Sequence, residues 1–176
     1  MKSFKNINQT SENGGINIVG DGNMLNFYRQ PIKYELLSKL CIGFINSNLN
    51  SNEDMNITDL PMELLEKIEY NDLVLHKEMY EELGMYLSDI QDVVNKSLGD
   101  KSIRLIRIIK RLYLETVSNN PTATNDQILF IIENKLMEHT SLVNSKEYYN
   151  EDIKYAICQI VLYVFEKCQI LKKPKK

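Results

Sequence analysis

From Pro31 onward, apolar side chains return at steps of three and four residues, and this spacing constrains the chain more than any other feature. Such steps place side chains on one face of an α-helix, and they recur in segment after segment. Pro31 is a good first helical residue, and Leu36, Leu37, Leu40, Cys41 and Phe44 follow it at helical spacing. A polar, Asn-rich loop over 46–56 comes next, and Pro61 opens a short helix over 62–70. The spacing predicts a long helix over about 73–98, with Met79, Leu83, Tyr86, Leu87, Ile90, Val93 and Val94 as its stripe. Gly99 ends that helix and Asp100 can cap the next. The following helix runs to about Val117 and buries Ile103, Ile106, Ile109, Leu112 and Tyr113 or Val117. Asn119-Asn120-Pro121 breaks it. Thr124 and Gln127 have the spacing of a capping box for a helix over 126–139. Asn150 is placed to cap a last helix over 153–171, which is apolar on nearly all sides and so belongs at the centre. The expectation is a mainly α protein, an irregular bundle of five or six helices over 31–171, followed by a basic tail over 172–176.

Residues 1–28 have a different texture. Four of the seven glycines fall between Gly14 and Gly22. Ile16, Asn17 and Ile18 alternate apolar and polar, then Gly20-Asp21-Gly22-Asn23 precedes Met24 and Leu25. A Gly/Asp/Asn cluster between two apolar runs predicts a short Asn/Gly-rich β-hairpin, because these residues accept the positive φ of tight turns. An isolated hairpin is marginal in water. This one would pack on the helical body, pair with a second copy of the chain, or order only on binding.

Composition narrows the class. A chain of 176 residues fits one domain with an appendage. It can bury roughly 70% of its unfolded surface without metal or disulfide staples. A net charge of −3 creates no global field toward nucleic acid or an anionic membrane. Cys41, Cys158 and Cys168 are odd in number, widely spaced and set in apolar segments, which points to buried thiols in a reducing cytoplasm. The start of the chain lacks the apolar core of a signal peptide, and no apolar run is long enough to span a membrane.

Motifs for catalysis are sparse. His76 and His139 sit in no metal-ligand spacing, and a lone helical histidine is usually a packed or surface side chain. Glu63, Glu66, Glu69, Glu81 and Glu82 read as solvated helix faces. The Gly-rich segment lacks the Lys and Ser/Thr of a phosphate loop and the βαβ context of a dinucleotide fingerprint. The expectation is therefore a non-enzyme with no cofactor and no metal. Arg104, Arg107, Lys110 and Arg111 recur on one helix face and could hold nucleic-acid phosphates. No aromatic platform or helix-turn-helix signature accompanies them, so a solvated face, or one meeting an acidic partner surface, is the preferred reading. Most of the ten tyrosines lie on or beside helices, as core-edge or interface residues do.

Two segments carry a family resemblance. One is Ile7-Asn8-Gln9 with Gly15-Ile16-Asn17-Ile18-Val19-Gly20-Asp21-Gly22-Asn23. The other is Leu65-Glu66-Lys67-Ile68-Glu69-Tyr70-Asn71-Asp72-Leu73, with the stretches 103–113 and 128–136 downstream. Together they resemble the C-terminal helical domains of bacterial ABC-three-component conflict systems, the group that includes Lamassu-type antiphage defence. In that family a GDxN stretch precedes a helical domain carrying KIxYN or KIxFN. The resemblance implies a non-catalytic subunit that joins an effector to an SMC-like ATPase and restrains it until foreign DNA is sensed. Such domains commonly follow an effector, so the expectation here is a stand-alone subunit, an inhibitor mimic or an isolated domain. The motif positions are Lys67, Ile68, Tyr70 and Asn71, with Ile68 expected in the core and Asn71 closing a helix end. Gly20, Asp21, Gly22, Asn23, Lys67 and Asn71 are the candidate partner interface, and Arg104, Arg107, Lys110 and Arg111 the nucleic-acid alternative.

Overall fold

The computed structural model describes residues 33–47, 49, 63–140, 147–167 and 169–171. The expected hairpin, with Gly20, Asp21, Gly22 and Asn23, and the basic tail lie outside them. The described residues are mainly helical and contain no strand. In chain order they form α1 (Tyr34–Asn46), α2 (Leu64–Tyr70), α3 (Lys77–Gly84), α4 (Leu87–Leu98), a 3₁₀ turn (Gly99–Lys101), α5 (Ser102–Asn119), α6 (Asn125–Glu138) and α7 (Asn150–Glu166).

The expected helix over 73–98 is two helices. Gly84 closes α3, where a Cβ would approach Leu64 Cδ2 of α2 to 2.7 Å. Glycine has low helix propensity, and its missing side chain lets α2 come close. The N–H groups of Met85 and Tyr86 bond three residues back, to Glu82 and Leu83, which tightens the chain before α4 begins. At the far end of α4, Gly99 stops the helix at φ +52°, as its sequence position suggests. Asp100 makes no side-chain cap; the 3₁₀ turn carries the chain into α5 instead.

α7 packs against α1, α3, α4, α5 and α6. Its run from Ala156 to Phe165 is buried without interruption, so the central place expected for it is the observed one. Each fully buried Leu, Ile or Phe there contributes about 1.5–3 kcal/mol. The helix stops at Glu166 rather than Leu171, and Ile170 and Leu171 fold back into the core with Leu171 at φ 62°. Asn150 is its first helical residue and makes no cap bond. Asp152 in that first turn is buried and takes the Lys33 ammonium at 2.6 Å, tying α7 to the start of α1.

Two sequence signals reappear as built. Thr124 and Gln127 form the reciprocal capping box of α6. Asn71 closes α2, its Nδ2 donating to Lys67 O at 2.9 Å. Leu73 N–H then bonds Ile68 O and Asp72 N–H bonds Glu69 O, with Asp72 at φ 50°. That is a Schellman turn, and Leu73 and Ile68 are both buried, as its apolar contact requires. α5 differs from expectation. Leu105, Ile106, Ile108, Ile109, Leu112 and Thr116 face the core, while Ile103 and Val117 turn outward.

Candidate functional site

α3 has no side-chain cap of its own at His76. The backbone leading into α3 is instead held from another helix, by Asp126 in the first turn of α6. Asp126 Oδ2 accepts from the N–H groups of Val74 at 2.8 Å and Leu75 at 3.2 Å, and Oδ1 from that of His76 at 3.0 Å. One carboxylate thus fixes three successive residues of the loop between α2 and α3. Asn125 adds a second tie, its Nδ2 donating to Asn71 O at 2.8 Å.

The His76 ring completes a triad of ionisable side chains with Asp126 and Glu133. Nδ1 lies 2.6 Å from Asp126 Oδ1, and Nε2 lies 3.4 Å from Glu133 Oε1. The second contact is an ion pair without hydrogen-bond alignment, and Glu133 Oε1 is buried with no hydrogen bond among the described residues. Tyr80 meets the imidazole edge-on at 5.5 Å, its hydroxyl buried and unbonded among the described residues. Burial opposes charging the ring, but the contacts with Glu133 and Asp126 outweigh it and hold His76 above its ordinary 6.5. Burial likewise works against the Asp126 carboxylate, yet the Val74 N–H, the His76 ring and the other two bonds hold it below 3.8. Burial, and then Glu133, push the Cys158 thiol far up, and burial pushes Cys41 up to about 12. Neither thiol is a thiolate nucleophile at neutral pH. With Nδ1 bonded to Asp126 and Nε2 facing Glu133, the ring joins the loop to α6, and the triad acts as a staple between them.

A pH dependence follows. Folded His76 holds its proton more tightly than the unfolded chain, so its stabilisation is complete below about pH 6.5 and is lost as pH rises through the raised folded value. Asp126 works in the opposite sense, stabilising above pH 3.8 and ceasing to do so as pH falls through its lowered value. Urea midpoints should peak between these limits, and the alkaline decline should flatten in His76→Gln. An alkaline limb unchanged in that variant would remove His76 as the titrating group.

The staple holds up an apolar edge. Val74, Leu75 and Phe130 are 75%, 79% and 60% exposed. Leu75 and Phe130 line an open cleft of about 850 Å³ together with His76, Ile131 and the turn over 119–123. The residues singled out in the sequence lie elsewhere. Lys67 and Asn71 are buried at the end of α2, where Lys67 Nζ donates to Glu166 O and lies 3.8 Å from Glu166 Oε1. Ile68 is in the core as expected, and Tyr70 is exposed. Arg104, Arg107, Lys110 and Arg111 share the outward side of α5. Arg111 Nε pairs with Glu115 at 2.7 Å, and Lys110 Nζ donates to Gln169 at 3.2 Å. Sequence reasoning set His76 aside and missed Asp126, Glu133, Leu75 and Phe130. The one local signal was an apolar Val74-Leu75 pair between two helices. Among the described residues no cluster of three or more His, Cys, Asp or Glu is placed to hold a metal ion. No helix among them is long and apolar enough to cross a membrane. Searches against family models, curated proteins and solved structures find no match to this chain.

Proposed function

We propose that the chain is a non-catalytic protein-interaction subunit whose docking edge is the rim formed by Val74, Leu75 and Phe130. The observation that carries this reading is three large apolar side chains left in solvent, Val74 and Leu75 on backbone bonded to the buried Asp126 carboxylate and Phe130 on α6 itself. Exposed apolar groups on a pre-organised frame lose little entropy on binding, which is what a docking edge needs. The partner class comes from the resemblance of the GDxN and KIxYN stretches: an effector and an SMC-like ATPase of a cytoplasmic bacterial antiviral defence complex. The segment over 1–28, including Gly20, Asp21, Gly22 and Asn23, belongs to the same proposal as a further contact, with a partner or with a second copy. Lys67 and Asn71 would serve it indirectly, by shaping the end of α2 beneath that edge.

A nucleic-acid-binding regulator using Arg104, Arg107, Lys110 and Arg111 is the alternative. It is the weaker reading, because Arg111 and Lys110 already have partners within the chain. The test is affinity capture of the tagged chain from its native cell extract, with and without nuclease. The expected result is a stoichiometric large ATPase that survives nuclease and is lost from the Leu75→Ser, Phe130→Ser double variant. Both substitutions are at exposed positions, so stability should change by less than about 1 kcal/mol. Retention of the ATPase by the double variant, or recovery of nucleic acid alone, refutes the docking edge.

A further inference from the structure

α5 carries a second surface that shares no residue with the cleft, and its composition specifies a partner. Ile103, Arg107, Lys110, Leu114 and Val117 follow one another at steps of four, three, four and three. That is the seam spacing of a helix that receives another helix. The opposite side, with Leu105, Ile108, Ile109 and Leu112, is spent on the core. On the outward side Ile103, Leu114 and Val117 are 47%, 47% and 38% exposed. Arg104 and Arg111 flank the seam. Arg111 is neutralised by Glu115, whereas Arg104 and Arg107 have no ion pair among the described residues. Arg107 is only partly exposed, and its Nε is buried without a hydrogen bond. A guanidinium in that state gains most from a carboxylate, which it binds in a fork.

We propose that this face of α5 docks an acidic amphipathic α-helix of a partner protein, with apolar residues on Ile103, Leu114 and Val117 and carboxylates on Arg104 and Arg107. This goes beyond the cleft edge described above. A second copy of the chain fits poorly, because a self-complementary contact would set Arg104, Arg107 and Lys110 against the same cations. A nucleic acid uses the cations but gains nothing from exposed Ile, Leu and Val side chains, and no aromatic side chain lies along the seam to stack on a base. α5 extends over roughly 27 Å, long enough for all five seam positions to meet one helix.

The test is fluorescence anisotropy with the full chain and three labelled probes. The first is a synthetic peptide of about five helical turns with a leucine seam flanked by glutamates. The second replaces every glutamate with lysine, and the third is a short DNA duplex. The acidic peptide should bind saturably, at least about tenfold more tightly than the basic one, and weaken about tenfold in Arg107→Glu and in Arg104→Glu. It should bind the Leu75→Ser, Phe130→Ser variant unchanged, so the two surfaces can fail separately. Arg104 is exposed in the first turn of α5, where glutamate suits the helix dipole; that variant keeps the test sound if burial makes Arg107→Glu unstable. Equal affinity for the acidic and basic peptides, or acidic-peptide binding untouched by both charge reversals, overturns the proposal. DNA binding that the same reversals abolish also overturns it, and assigns the face to nucleic acid.

Discussion

Asp126→Ala should destabilise the fold by about 3–5 kcal/mol, the cost of removing one partner of a buried ion pair. The substitution leaves the His76 ring facing Glu133 alone and strips the acceptor from the N–H groups of Val74, Leu75 and His76. Against a typical total of 5–15 kcal/mol, that loss consumes much of the margin. Equilibrium urea unfolding reads the global effect. Amide exchange should show where it begins, with protection lost first at 74–76 and the start of α3. Asp126→Asn keeps the shape and one acceptor oxygen but loses the charge, so it should fall between wild type and alanine. A loss under about 1 kcal/mol for alanine would mean that the loop holds its shape without the carboxylate. The docking edge would then lose its rigid frame as an explanation.

The helical bundle was legible because its signals are local. Gly99, Asn71 and the Thr124/Gln127 pair each act within one turn of the chain, and each does in the fold what its neighbours imply. Errors arose where a local signal was degenerate. α5 has apolar residues at 103, 105, 106, 108 and 109, and two phases of a 3.6-residue period fit that run. Packing against α6, α7 and α1 chooses between them, turning Leu105 and Ile108 inward and Ile103 outward. The break in the helix expected over 73–98 has no proline to announce it. At the break Gly84 lies against Leu64, whose Cδ2 a Cβ there would approach to 2.7 Å, a contact between segments that the chain order does not show.

The candidate site was almost wholly illegible for the same reason. His76 and Asp126 lie 50 residues apart. Alone, the first is an unremarkable helix-end histidine and the second an acidic residue suited to a helix start. Only the meeting of the loop before α3 with the start of α6 turns them into a staple. The basic stripe was legible as a row of residues but not as a surface. Its meaning depends on the ion pair to Glu115, on the bond to Gln169 and on the outward turn of Ile103, Leu114 and Val117.

Lys67→Ala should cost about 3–5 kcal/mol, and Lys67→Met about half of that, and this contrast separates a structural lysine from a contact residue. Lys67 is 2% exposed, yet its ammonium reaches the carbonyl of Glu166 at the C-terminal end of α7 and lies 3.8 Å from the Glu166 carboxylate. A cation there meets the negative end of the helix dipole and satisfies a carbonyl that has no partner inside the helix. Two contributions are lost in alanine: about 0.8 kcal/mol for each buried methylene of the stem, and about 1.5–3 kcal/mol for a charged hydrogen bond. Methionine retains most of the apolar stem and loses only the bond. If Lys67 instead contacted a partner directly, both variants would fold with nearly wild-type stability and lose binding alike. Thermal unfolding of the two variants beside their capture of the partner distinguishes these cases, because a residue at the joint of α2 and α7 must affect the fold before it affects any complex.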